Sequence, residues 1–242
     1  MLIIAHRGAR ATHPENTLLA FQAALDSGAQ AIELDVHEYD GEFWVIHDKW
    51  LNRTTDHVGM LRWLSREKLA KVDAGQGEKI PSLRDVFALL NGQCALNIEV
   101  KGIQNFELLY QHMHEACEHY GFSNEQLILS SFNHHWLAKI KQAQPHLLIG
   151  ALTGSKNIHK AQCAEQLSAV SINVDLDVID QDYVDDAKSR GLKVYVYTVN
   201  HPQDWQWLHQ IGVDGIFCDC PLKAIDDFKS QGISQPNGFT WR

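Results

Sequence analysis

The chain has 242 residues, 45% hydrophobic and 21% charged, an ordinary globular balance with enough apolar mass for one sizeable core. A formal net charge of −9 with no Lys/Arg run argues against nucleic acid or an anionic membrane surface as partner. Five cysteines, odd in number and without C-x-x-C spacing, argue against a disulfide framework and for reduced thiols. A short apolar start before His6-Arg7, with no apolar run of membrane-spanning length, sets the expectation of a cytoplasmic protein without signal peptide or membrane span.

In chain order, short apolar β-branched runs predict strands at 2–5, 31–36, 95–100, 127–131, 148–152, 170–174, 193–198 and 215–218. Continuous apolar runs of this kind suit a parallel sheet covered on both faces. Between them, Asn16 is expected to cap a helix whose apolar positions Leu18, Phe21, Ala24 and Leu25 share one face and which ends at Gly28. Further helices are expected at 83–90, 106–120, 134–144, 160–166, 181–190 and 202–211. Eight strand–helix alternations predict an α/β (βα)₈ TIM barrel, a single domain over 1–242, rather than an open doubly wound sheet. The spacing breaks once, after the second strand. There 43–46 reads as an extra strand and 48–79 as a polar, Trp-containing excursion, so that about 43–80 forms a loop insertion over the barrel mouth. The tail 230–242, polar apart from Phe239 and Trp241, is expected to be partly disordered or packed against the outside of the barrel.

Active sites in such barrels sit where strands end, and the polar residues fall there: His6-Arg7, Glu33 and Asp35, Glu99 and Lys101, Ser131. Strand side chains alternate faces, so Glu33 and Asp35 point the same way, about 6–7 Å apart along the strand. Like charges at that distance repel unless a cation lies between them, and Glu99 at an equivalent strand end supplies a third oxygen ligand. All-carboxylate coordination favours a hard divalent cation, Mg²⁺ or Ca²⁺, over zinc. His47 is a titratable group close by. Most of the fourteen histidines are expected to be solvated or structural, with His37 flanking the site. Glu15 reads as a loop brace, Gly8 as a point of backbone freedom, Asp48 as an orienter of His47 or a turn end, and Asp214 and Asp219 as loop closers.

The ordered set His6-Arg7-Gly8, Pro14-Glu15-Asn16-Thr17, Glu33-Leu34-Asp35-Val36, Val45-Ile46-His47-Asp48 and Leu51-Asn52-Arg53-Thr54-Thr55 resembles the glycerophosphodiester phosphodiesterase family. The likeness continues through Asn97-Ile98-Glu99-Val100-Lys101, Ser130-Ser131-Phe132, Tyr197-Thr198-Val199-Asn200 and Gly212-Val213-Asp214-Gly215, and so spans nearly the whole chain. It implies the same barrel, Glu33, Asp35 and Glu99 as metal ligands, and cleavage of glycerophosphodiesters to sn-glycerol 3-phosphate and an alcohol. It also implies that the substrate's own 2-hydroxyl is the nucleophile, giving a cyclic phosphate that water then opens. For such an anionic substrate, Arg7 and Lys101 supply phosphate-neutralising charge, while His6 and His47 supply an acid and a base without an assignment between them. Ser131, Phe132 and Tyr197 are candidate pocket residues. The chain departs from the family's Trp-Thr-Val-Asn at Tyr197, which adds a hydroxyl to an aromatic wall, and from its Thr-Asp-x-Pro at Cys218 and Cys220. Trp44, Trp50 and Trp63 either contact a hydrophobic headgroup or pack a lid. Two alternatives stand beside this reading. A metal-dependent sugar isomerase on the same barrel leaves Arg7 and Lys101 less well explained; a non-catalytic phosphodiester-binding protein leaves the intact histidines and carboxylates unexplained.

Overall fold

The computed structural model describes residues 1–236 and 238–241. Among these, nine strands form one sheet: β1 (Leu2–His6), β2 (Ala31–Tyr39), β3 (Glu42–Val45), β4 (Ala95–Gly102), β5 (Leu127–Ser131), β6 (Leu148–Thr153), β7 (Ser171–Asp175), β8 (Lys193–Tyr197) and β9 (Gly215–Cys218). β1 pairs in parallel with both β9 and β2, so eight parallel strands close into a ring, while β3 lies antiparallel on β2 outside it. The helices are α1 (Leu18–Asp26), α2 (Arg66–Leu69), α3 (Leu83–Leu90), α4 (Phe106–His119), α5 (His134–Ala143), α6 (Gln162–Gln166), α7 (Gln181–Ser189), α8 (Pro202–Gln210) and α9 (Pro221–Gln231). This is a (βα)₈ barrel, as the alternation of apolar runs implies.

Side-chain alternation sorts each strand into two faces. Outward residues such as Ile3, Ile32, Ile98 and Ile172 join Phe21, Phe87, Leu109, Ile140, Val184, Leu208 and Phe228 of the helices in the main core. Inward residues Leu2, Ile4, Ala31, Ala95, Ile128, Leu148, Tyr195 and Phe217 fill the lower half of the barrel. Higher up, the same inward stripe turns polar. Ser130 donates to Asn97 Oδ1 at 2.7 Å and Ser171 to Asn173 Oδ1 at 3.1 Å, so these buried polar groups are paired rather than left unsatisfied. The stripe then reaches His6, Glu33, Asp35, Glu99 and Lys101 at the strands' C-terminal ends.

Three local features differ from expectation. The cap of α1 is Thr17, whose Oγ1 accepts from the Ala20 amide; Asn16 instead adopts φ 59° and turns into the barrel. The helix α9 has no counterpart among the predicted elements, although Pro221, Ala224, Ile225 and Phe228 are buried at helical spacing. Proline at the first helical position needs no amide partner, so Pro221 starts this helix rather than breaking it. Trp241 of the tail is not laid on the outside. Trp241 is 2% exposed, packs edge-on to Tyr195 at 5.5 Å, donates from its indole to Gln126 O at 2.9 Å, and closes the lower end of the barrel. The insertion after β3 carries its own small core of Ile46, Leu51, Leu61, Leu64, Leu69, Val72, Ala74 and Ile80.

Candidate active site

The site begins where β1 ends. Arg7 (φ 56°) and Gly8 (φ 79°) reverse the chain through left-handed conformations, and a Cβ on Gly8 would sit 2.7 Å from the backbone carbonyl of Ala20 in α1. Only glycine fits there without moving the helix. The turn delivers the Arg7 amide to Glu33 Oε2 at 3.0 Å, and the Arg7 side chain to Asp35 Oδ2 at 3.0 Å and Glu15 Oε1 at 2.8 Å.

Glu33, Asp35 and Glu99 converge. One carboxylate oxygen from each lies within 4.8 Å of the others, and all three side chains are buried. The parallel register explains it: β2 and β4 align Asp35 with Glu99, one inward position above Glu33. Asp35 is the best-held member. Asn16 donates to its Oδ2 at 2.9 Å, Lys101 lies 3.3 Å from its Oδ1, and that Oδ1 is buried without a hydrogen-bond partner. Lys101 also bonds Glu99 Oε1 at 2.6 Å. Burial pushes the Asp35 carboxyl up, but Arg7 and Lys101 more than offset this and leave it at about 2. Burial and the Asp35 charge push Glu33 well above the usual carboxylate range, with Glu99 adding to it, and push Glu99 up to about 7. Three buried carboxylates therefore do not ionise together unaided. An orphaned oxygen and an all-oxygen donor set are what a hard divalent cation requires, so the residues fit such an ion.

Two imidazoles line the same cavity, each backed by a carboxylate. His6 Nδ1 lies 2.7 Å from Asp219 Oδ1, and Asn200 donates to Asp219 Oδ2 at 2.9 Å. His47 Nδ1 lies 2.5 Å from Asp48 Oδ1, and Arg53 Nε donates to Asp48 Oδ2 at 2.5 Å. Arg53 continues to both oxygens of Glu15, which also holds Arg7. Asp219 and Asp48 are held below the usual carboxylate range: burial raises each, and their bonds from His6 and from Arg53 outweigh it. A carboxylate facing Nδ1 makes that nitrogen the donor and leaves Nε2 as the atom that gains or loses a proton. Burial lowers the pKa of both imidazoles by more than their acidic neighbours raise it.

The inner cavity, about 170 Å³, is lined by His6, Arg7, Glu33, His47, Glu99, Lys101, Phe132 and Tyr197 among others. Tyr197 donates its hydroxyl to Thr153 O at 2.8 Å, so that group is tied to the rim rather than offered to a ligand. An outer groove of about 560 Å³ continues from it past His47, Trp50, Phe132 and Trp136. Ser131 borders this groove, with its hydroxyl spent on Val100 O and the Asn133 amide; Ser130 is the serine that lines the inner cavity. His37 flanks the site, as expected, with Nε2 3.0 Å from His47 O. Trp50 and Trp63 pack edge to face, ring centres 5.2 Å apart. Asp219, expected only as a loop closer, is the residue that the sequence left unassigned: a closed barrel sets β9 beside β1, but the side-chain contact with His6 appears only in the folded structure.

The family model of the glycerophosphoryl diester phosphodiesterase family matches residues 6–223. The chain is 36% identical over 241 residues to a glycerophosphodiester phosphodiesterase of Caldanaerobacter subterraneus subsp. tengcongensis, covering 96% of this chain and 99% of that one. It is 32% identical to one of Bacillus altitudinis, covering 92% and 96%. Among solved structures it is similar to an Oleispira antarctica phosphodiesterase in complex with the product sn-glycerol-3-phosphate, with a TM-score of 0.86, 28% identity, and 95% and 97% coverage. Closed barrel, carboxylate cluster and paired imidazoles agree with these likenesses: the chain belongs to the glycerophosphoryl diester phosphodiesterase family.

Proposed function

We propose that the chain is a metal-dependent hydrolase that cleaves glycerophosphodiesters to sn-glycerol 3-phosphate and an alcohol, by acid–base catalysis between His6 and His47. The observation that carries this is one cavity holding two carboxylate-backed imidazoles beside three converging carboxylates. Glu33, Asp35 and Glu99 would hold one Mg²⁺ or Ca²⁺, which when bound supplies positive charge against the phosphoryl oxygens. Arg7 and Lys101 line the same cavity and add fixed cations for the phosphate.

In the first step the glycerol 2-hydroxyl attacks phosphorus and gives its proton to Nε2 of one imidazole. The bond from phosphorus to the alcohol breaks, and the departing oxygen takes a proton from the other imidazole. Water then opens the cyclic phosphate with the two roles exchanged, so each histidine ends as it began. Asp219 and Asp48 hold the rings by Nδ1 through both steps. The barrel acts as one catalytic unit, with residues 43–80 over its mouth. The free state of all five cysteines suits a cytoplasmic setting, and no helix among the described residues is long and apolar enough to cross a membrane. Phosphorus NMR of the purified protein with a panel of glycerophosphodiesters, with and without added Mg²⁺ or Ca²⁺, tests the reading. Conversion to glycerol 3-phosphate only with the ion supports it; ketose formation from a sugar, or binding without turnover, would replace it.

A further inference from the structure

We infer that the outer groove selects the leaving alcohol by charge, favouring one that carries an anionic group over one that carries a quaternary ammonium, and that Lys49 is the residue that decides this. The inference rests on the function proposed above: with the phosphate held between Arg7, Lys101 and the imidazoles of the inner cavity, the groove that shares His47, Glu99, Lys101 and Phe132 with that cavity is the way out for the alcohol.

The groove of about 560 Å³ and an adjoining recess of about 280 Å³ share His37, Lys49, Lys101 and Trp136, so they form one path leading from the imidazoles out along the insertion. The charges along this path are unequal in their freedom. Its carboxylates are already engaged. Asp48 is bonded by His47 and Arg53, Glu99 by Lys101, and Glu38 accepts from the amides of Gln104 and Asn105 at the start of α4. Its outer cations are not: among the described residues Lys49 and Arg62 form no ion pair, and Lys49 borders both cavities. Carboxylates and cations are equal in number along the path, but the carboxylates are each held by hydrogen bonds while Lys49 and Arg62 are not, so the charge left free to meet the alcohol is positive.

The aromatic walls argue the other way, since an ammonium is drawn to ring faces. Yet Phe132 already carries Lys101 Nζ 5.9 Å from its ring centre, and Trp50 is packed against Trp63. Trp136 remains, beside two unpaired cations that repel an ammonium.

The test uses three glycerophosphodiesters that differ in the alcohol alone: glycolate, ethylene glycol and choline. With Mg²⁺ present, kcat/KM is expected to fall in that order, by at least about tenfold from the first to the last, and the ratio is expected to narrow as salt is raised. Lys49→Glu should bring the glycolate-to-choline ratio to one or below. The ratio is taken on a single preparation, so it is independent of any loss of overall rate, and Lys49→Gln, expected midway, controls for folding. Equal or better turnover of the choline diester by the wild type, or an unchanged ratio in Lys49→Glu, overturns the inference while leaving the hydrolase reading intact. No turnover of any of the three would overturn the hydrolase reading, and the inference with it.

Discussion

Replacing Asp219 by Asn should disable His6 while leaving its ring in place. In the wild type, Asp219 takes a hydrogen bond from Asn200 on Oδ2 and faces His6 Nδ1 with Oδ1. An asparagine there keeps the Asn200 bond only by presenting its carbonyl to Asn200, which turns its NH₂ towards His6. Nδ1 must then accept, the ring proton moves to Nε2, and the atom that should take a proton already holds one. The same NH₂ disfavours the imidazolium, so the variant suffers whether His6 starts as base or as acid. A comparable change in a fully buried catalytic triad costs about 10⁴ in kcat. Here the His6 and Asp219 side chains are 12% and 21% exposed, so water can reorient and recover part of that. A loss of about 10²–10³ in kcat/KM is expected. Release of glycerol 3-phosphate from a glycerophosphodiester measures it, with thermal melting as the check on folding. Asp219 raises the His6 pKa, so its removal should also move to lower pH the limb of the pH–rate profile that His6 sets, the acidic limb if it starts as base and the alkaline limb if it starts as acid. Activity within about threefold of wild type, with an unmoved profile, would refute the reasoning.

His6→Ala and His47→Ala should each lose about 10²–10⁴ in rate with the fold retained, and a loss under about tenfold would remove that histidine from the chemistry. Glu33→Gln should abolish the response of turnover to added Mg²⁺ or Ca²⁺, read by titrating the ion into stripped protein; an unchanged response would dissociate the carboxylate from the ion. Trp241→Ala, which opens the lower end of the barrel, should cost about 3–5 kcal/mol and lower Tm by roughly 10 °C; a shift under about 2 °C would mean that the tail is not part of the core. Glu42 receives bonds from buried His112 at 2.6 Å and Arg84 at 2.6 Å, and these, with the Phe43 amide, outweigh burial and hold its carboxyl below the usual range. Its contribution is therefore present above the unfolded value near ~4.3 and lost as pH falls through the lower folded value. Glu42→Gln should cost about 2 kcal/mol at neutral pH and little in strong acid; an equal cost in both would contradict the pairing.

Much of this was legible in the sequence because its rules are local. Continuous apolar runs located all eight barrel strands, and period-two alternation put Glu33 with Asp35, and Glu99 with Lys101, on one face. The helices expected at 83–90 and 181–190 start where the apolar spacing puts them, and the structure shows Ser82 and Asp180 as their caps. What escaped depended on closure. Asp219 meets His6 only because β9 returns to β1, a contact 213 positions apart in sequence. Trp241 finds its place at the lower end of the barrel by the same closure, in one apolar cluster with residues of seven strands. Asn16 looked like a cap because its side chain type suits one; tertiary contact with Asp35 claimed it, and the neighbouring Thr17 took the role.

The central claim is that Glu33, Asp35 and Glu99 hold one cation beside His6 and His47. Anomalous diffraction from a crystal soaked in Mn²⁺, a stand-in for Mg²⁺, tests it most directly. The expected result is a single strong peak about 2.0–2.5 Å from an oxygen of each of the three carboxylates. Density bound elsewhere, or no ion at that cluster at saturating Mn²⁺, would contradict it.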